Sequence, residues 1–269
     1  MGEQLAGWFT YLGGLLGLTL GTLFLCGLAV RLCAVLFSAL WGSRSDSVFD
    51  ITAVIGTPVH ELGHAAMCLL FGHRIQRVRL WSPRARNGMY GFVEHTYHLR
   101  NPWARLGNLF IAVGPLFSGL GVTVLTLWLC FPSQWADYLT LSRSVAQAEG
   151  LWEALGCSLT LLGSIPRAFL TDWLRSLIGV LVLLSVSLHI SLSWQDVKSA
   201  LSALPLYLGL TLIFGTLTYL LHRNTAILSA LTLLNVRVLA LFTVVLAVSL
   251  VWILLALLIR LIRMARHWF

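Results

Sequence analysis

Charge is what this sequence has least of. Of its 269 residues 10% are Asp, Glu, Lys or Arg, against roughly 25% in ordinary soluble domains, while 58% are hydrophobic. So little charge excludes an ordinary soluble domain. The net charge is +8, yet Lys and Arg stand almost wholly at the ends of apolar runs, so no nucleic-acid-binding patch is expected. Cysteine is sparse and unpatterned: Cys26, Cys33, Cys68, Cys130 and Cys157 are odd in number and lack CxxC spacing, which gives neither a disulfide framework nor a thiolate metal site. The N-terminal MGEQLAGW has no basic region, and the apolar run behind it is longer than a signal-peptide core. It is expected to be a retained span and not a cleaved leader.

What remains is a series of long apolar runs. Several approach or exceed the roughly 20 residues that cross a hydrocarbon core, with Trp, Tyr and Arg at their flanks as interfacial anchors. A β-barrel would show short alternating segments instead. The expected fold is an all-α polytopic membrane protein of about six transmembrane helices, forming a single domain over 1–269 with no separate soluble domain and no internal repeat. The spans are placed at about Trp8–Val30 (continuing towards Leu40), Ile51–Phe71, Trp103–Phe131, Trp173–Leu192, Leu206–Leu221 and Leu231–Ile259. After the second, Ile75, Val78 and Leu80, then Tyr90, Phe92 and Val93, flank a Pro/Arg/Asn/Gly turn. That pattern predicts a small interfacial β-hairpin. Residues 132–172 are mixed and read as one or two short surface helices.

Charge orients the spans. The segment 73–105 holds seven Arg (Arg74, Arg77, Arg79, Arg84, Arg86, Arg100, Arg105) against Glu94, and the segment 132–175 has three Arg against four acids. The first is expected in the cytoplasm and the second outside. Arg260, Arg263 and Arg266 then also fall inside, and six spans return both termini to the cytoplasm.

Within the second span lies GTPVHELGHAA, with His60, Glu61 and His64. On a helix the two histidines are separated by about 40° and about 6 Å of rise, so one zinc ion can meet both. Glu61, about 100° round from His60, lies beside that metal as a general base. Polar side chains at bilayer depth are costly unless paired or metal-bound, and usually mark function. Pro58 frees a carbonyl one turn earlier. A hydrolytic zinc needs a third protein ligand. Asp196 in SLHISLSWQDVKSA is the favoured one, although it meets the motif only if its helix dips into the leaflet or is broken there. The alternative ligand is His189; if Asp196 binds, His189 is read as a group behind the ligands or a proton carrier. Asp196 can also be read as the cap of a restarted helix. In EHTYH, residues 94–98, His95 and His98 would point to opposite faces of a strand, so an interfacial strand is expected there. His222 and His267 sit at span ends.

HELGH within a span, the Arg-rich hairpin after it, Gly114-Pro115 in the third span and an Asp near the end of a later one together resemble the site-2 proteases, intramembrane zinc metalloproteases. The resemblance covers roughly residues 50–200, leaving the C-terminal spans at about 206–259. It implies zinc on His60, His64 and Asp196, Glu61 as general base, and a membrane-spanning or membrane-inserted protein segment as substrate. The family's Asp-Gly is Asp196-Val197 here, Ser118 stands where Asn often follows Gly-Pro, and there is no room for an inserted PDZ domain. The expected activity is therefore intramembrane proteolysis. A membrane-anchored zincin acting on cytoplasmic proteins and a non-catalytic zinc-binding bundle are the alternatives. Glu61 favours hydrolysis, because binding alone does not require it.

Overall fold

The computed structural model describes residues 2–42, 45–83, 89–145 and 151–265, and is all-α apart from one two-stranded antiparallel sheet. The tip of the expected hairpin at 84–88, with Arg84 and Arg86, lies outside the described residues, as do Glu149, Arg266 and His267. In chain order the elements are α1 (Gly2–Leu16), α2 (Thr22–Trp41), α3 (Ser45–Leu70), β1 (Arg74–Arg79), β2 (Phe92–Thr96), α4 (Pro102–Cys130), α5 (Pro132–Val145), α6 (Leu151–Ala168), α7 (Trp173–His189), α8 (Trp194–Leu220) and α9 (Asn224–Ala265).

Among the described residues, four helices are long and apolar enough to cross a membrane: Gly2–Trp41, Pro102–Cys130, Trp194–Leu220 and Asn224–Ala265. The first joins α1 and α2 through a π-helical turn at Gly17–Gly21, where the Leu18 carbonyl accepts from Asn235 Nδ2 on α9. Large apolar side chains stand outward along these helices, Leu25, Leu28, Ile213, Phe214, Leu254 and Leu258 among them. A lipid solvent leaves them where water would bury them. Helix α7 is apolar but only 17 residues long. Helix α3 is long enough, at 26 residues, but carries Asp46, Asp50 and the HELGH motif.

Two sequence expectations shift. The region 132–172 is not purely a surface: Cys157, Leu161 and Ile165 of α6 are buried against Ala240, Val244 and Val248 of α9. The fourth helix stops at His189 and the fifth starts at Trp194, so SWQDVKSALSALP begins one long helix and does not link two spans. Pro205 lies inside it.

A second buried cluster joins α2, α4, α7 and α9 through Val30, Leu116, Val186, Ile190, Phe242 and Val245. Apolar contact between helices gives little net drive in lipid, so close backbone approach matters more. It occurs where α3 meets α4. A Cβ on Gly63 would sit 2.5 Å from the Gly114 carbonyl oxygen, and one on Gly114 would sit 2.6 Å from that of Gly63. Each glycine is the space the other helix occupies. Gly114→Ala is therefore expected to lower unfolding stability in detergent by about 1–3 kcal/mol, whereas Gly121→Ala, on the same helix with nothing within 4 Å, leaves it unchanged. Thermal melts of the two variants against wild type measure the difference.

Candidate metal centre

Helix α3 carries His60 and His64 one turn apart, and their rings meet with Nε2 atoms 3.1 Å apart. Each ring is oriented from behind. His60 Nδ1 donates to the His189 carbonyl at 2.6 Å, and His64 Nδ1 donates to the Ile111 carbonyl at 2.8 Å. Both acceptors are carbonyls that the helical ladder leaves unused. His189 ends α7. Ile111 precedes Pro115 by four residues inside α4, and proline has no N–H to offer it. With both protons held on Nδ1, two Nε2 lone pairs face each other, a repulsive arrangement unless a cation lies between them.

Asp196 supplies the negative charge. Its Oδ1 lies 3.4 Å from His64 Nε2, while Oδ2 accepts from the Ser193 N–H at 2.7 Å and its own N–H donates to Ser193 Oγ at 3.1 Å. Asp196 thus closes a capping box at the start of α8 and presents its other oxygen to the histidines. The two readings of Asp196 in the sequence, ligand and cap, use different oxygens of one carboxylate.

The meeting is possible because the chain is not helical between α7 and α8. Ile190 and Leu192 there are buried, and the Leu192 carbonyl accepts from Arg31 Nη1 at 2.9 Å. Irregular backbone of this kind is tolerated in an apolar setting when protein groups satisfy it. On α2, Gly27 leaves the space for Leu192, whose Cγ would lie 2.6 Å from a Cβ there.

The ligand atoms of His60, His64 and Asp196 all lie within 4.8 Å of one another. Two donors about 2.0–2.1 Å from a tetrahedral zinc would be about 3.3 Å apart, which matches the 3.1 Å and 3.4 Å spacings. One carboxylate and two neutral imidazoles also suit zinc chemically. Glu61 is buried beside them.

Comparison with protein-family models, with curated proteins and with solved structures gives no match.

A cavity of about 790 Å³ opens onto His60, Glu61, His64 and Asp196. The segment 89–95, which runs into β2, also lines it, and none of β1 is among its lining residues. Strands β1 and β2 pair antiparallel with Val78 opposite Val93 and an irregularity between Ile75 and Arg77. Gly91 lies against Glu61: a Cβ there would be 2.7 Å from Glu61 Cγ. At the same turn, burial and then the hydrogen bond to Asp50 push the Tyr90 hydroxyl up to about 12. It stays protonated and donates to that carboxylate, tying the cavity wall to the first half of α3.

The side chain of His189 faces away from the ligand cluster. Its Nε2 is 3.0 Å from Thr52 Oγ1, and its ring packs edge-on to Phe49; Gly56 makes room for it, since a Cβ there would lie 2.4 Å from the ring. His189 reaches His60 through its backbone. His98 is exposed, whereas His95 turns inwards to His73. Sequence reasoning did not single out Arg31, Gly91 or the Ile111 carbonyl. Gly91 alone left a signal, an isolated glycine in a strand pattern; the Ile111 carbonyl follows from Pro115 only once its partner is known.

Because the carbonyl and not the imidazole of His189 holds His60, His189→Gln is expected to keep wild-type zinc stoichiometry. Loss of the metal in elemental analysis of that variant would make the side chain a ligand.

Proposed function

We propose that this chain is a multi-pass zinc endopeptidase that cuts peptide bonds in or next to membrane-spanning segments. The observation that carries the reading is the pair of imidazoles whose Nδ1 protons are spent on His189 and Ile111 carbonyls and whose Nε2 atoms converge with Asp196 Oδ1, with Glu61 buried alongside. In this reading α3 and α7 complete six spans, and the Arg-rich hairpin places both termini in the cytoplasm.

Zinc on His60, His64 and Asp196 would supply Lewis acidity to the scissile carbonyl and the attacking water. Glu61 does the proton work. Its carboxylate takes a proton from the water as the C–O bond forms, and delivers it to the amine nitrogen as the C–N bond breaks. His189 and Ile111 hold the imidazoles in register through their carbonyls, and Ser193 holds Asp196. The buried surroundings keep bulk water from competing for these bonds.

Substrate handling falls to the hairpin. A transmembrane helix has its backbone bonded internally and must be unwound locally before a peptide bond can be reached. Strand β2 borders the cavity and, among the described residues, is paired on one edge only, by β1. Its free edge can take up an unwound segment as an added strand.

Zinc content and cleavage of a membrane substrate, measured in parallel, test the mechanism. Glu61→Gln is expected to retain zinc and lose about 10²–10⁴-fold in rate. Asp196→Asn keeps an acceptor for the Ser193 N–H, so it is expected to weaken zinc binding without unfolding α8. Undiminished cleavage by Glu61→Gln ends the proposed chemistry.

Proline scanning across Val93 and Glu94 tests the strand, since adjacent N–H groups point to opposite edges. The variant that loses the outward donor is expected to cleave several-fold more slowly at unchanged zinc content. Unaltered cleavage by both variants excludes strand addition.

A further inference from the structure

A second group of metal-ligating side chains begins one turn beyond His64, at the C-terminal end of the motif helix. Cys68 is in the last turn of α3, His73 follows that helix, and His95 is on β2. Their ligand atoms lie within 4.8 Å of one another. Cys68 and His73 are buried, and His95 is half-buried. Neither CxxC spacing nor the EHTYH pattern marks a thiolate site in the sequence.

Local backbone geometry brings the three together. Gly72 takes φ +71°, a conformation that favours glycine, and the His73 N–H donates back to the Cys68 carbonyl at 2.8 Å. The chain therefore doubles over so that His73 returns beside Cys68. Gly107 of α4 leaves the space: a Cβ there would be 2.5 Å from Phe71 Cβ and 3.0 Å from His73 Nε2. Tyr97 stacks on the His73 ring at 4.6 Å and 24°, and its hydroxyl accepts from Asn108 Nδ2 at 2.7 Å.

The tautomer is fixed as in the first centre. His73 Nε2 donates to the Ala104 carbonyl at 2.7 Å, so Nδ1 bears a lone pair. That lone pair points at His95 Nδ1, 2.9 Å away. A carbonyl behind one imidazole nitrogen and a cluster of soft donors before the other is the usual anatomy of a metal-binding histidine.

We propose that Cys68, His73 and His95 form a second metal site for a thiophilic ion of the zinc class. One thiolate and two imidazoles select zinc over magnesium or calcium, with water completing four-coordination. On binding, the Cys68 thiol gives up its proton to solvent as the metal–sulfur bond forms, so affinity rises with pH. The ion clamps β2 to the end of α3 and the head of α4, and so fixes the strand that walls the cavity. The site goes beyond the proposed activity and does not depend on it.

Cobalt substitution separates the two centres, because Cys68 is the one thiolate donor between them. Full-length protein, stripped with chelator in detergent and titrated with Co²⁺, is expected to take up two equivalents and to develop a thiolate-to-cobalt charge-transfer band. Cys68→Ser should abolish the band and halve the uptake, His60→Ala with His64→Ala should halve the uptake and keep the band, and Cys157→Ser should change neither. Wild-type protein that shows no such band overturns the proposal whether or not any variant folds, and so does a band that survives Cys68→Ser. A protein with the band but no protease activity sinks the enzymatic reading alone; an active protease without the band sinks the second site alone.

Discussion

Everything at the first centre depends on two hydrogen bonds from imidazole Nδ1 to carbonyl oxygens outside the motif helix: His60 to His189 and His64 to Ile111. In a low-dielectric interior an unpaired imidazole N–H is expensive, so these bonds are strongly favoured. They do two things at once. They lock α3 against α7 and α4, and they turn both Nε2 lone pairs to the same point. A carbonyl within an unbroken helix already accepts from the residue four places on; these two are released, one by Pro115 and one by the end of α7. The breaks in regular structure are what the site is made from.

The same principle accounts for Asp196. In one straight helix His189 and Asp196 would stand about 10 Å apart along the axis and only one of them would reach the histidine pair. Interrupting the helix at 190–193 removes that competition: the end of α7 offers a backbone acceptor, and the start of α8 offers a carboxylate. The cost of irregular backbone among apolar groups is met by Arg31 on the Leu192 carbonyl and by Asp196 on the Ser193 N–H. Arg31, a charge inside an otherwise apolar helix, therefore has a partner that sequence patterning had no way to nominate.

How far the sequence could be read follows from the range of each interaction. His60, Glu61 and His64 were legible because a four-residue spacing on a helix fixes their relation without tertiary information. The hairpin was legible because its strands are bounded by turn residues, although β2 runs on through Glu94 and His95 to Thr96. Six helical segments were visible as apolar runs, but among the described residues four have the length and apolarity to cross a membrane by themselves, because α3 gives up apolar positions to Asp46, Asp50 and the motif and α7 is 17 residues long. The depth at which Asp196 meets His64 was not legible, since it rests on where the helix breaks. Cys68, His73 and His95 were missed for a related reason. Their proximity comes from one left-handed glycine and one strand pairing, neither of which leaves a periodic trace.

Apolar packing alone would hold such a cavity poorly. Where lipid is the solvent, a leucine on a neighbouring helix offers little that a lipid tail does not, so the position of each wall has to come from backbone approach and polar bonds. Gly63 against Gly114 sets the distance between α3 and α4. Trp103 Nε1 on the Leu70 carbonyl ties the end of α3 to the start of α4, and Tyr90 with Asp50 ties the hairpin to α3. The hairpin is the least supported of these walls, because a two-stranded sheet is marginal by itself. A metal ion shared by Cys68, His73 and His95 would act where that deficit lies, joining β2 to the helix that carries both histidines of the first centre.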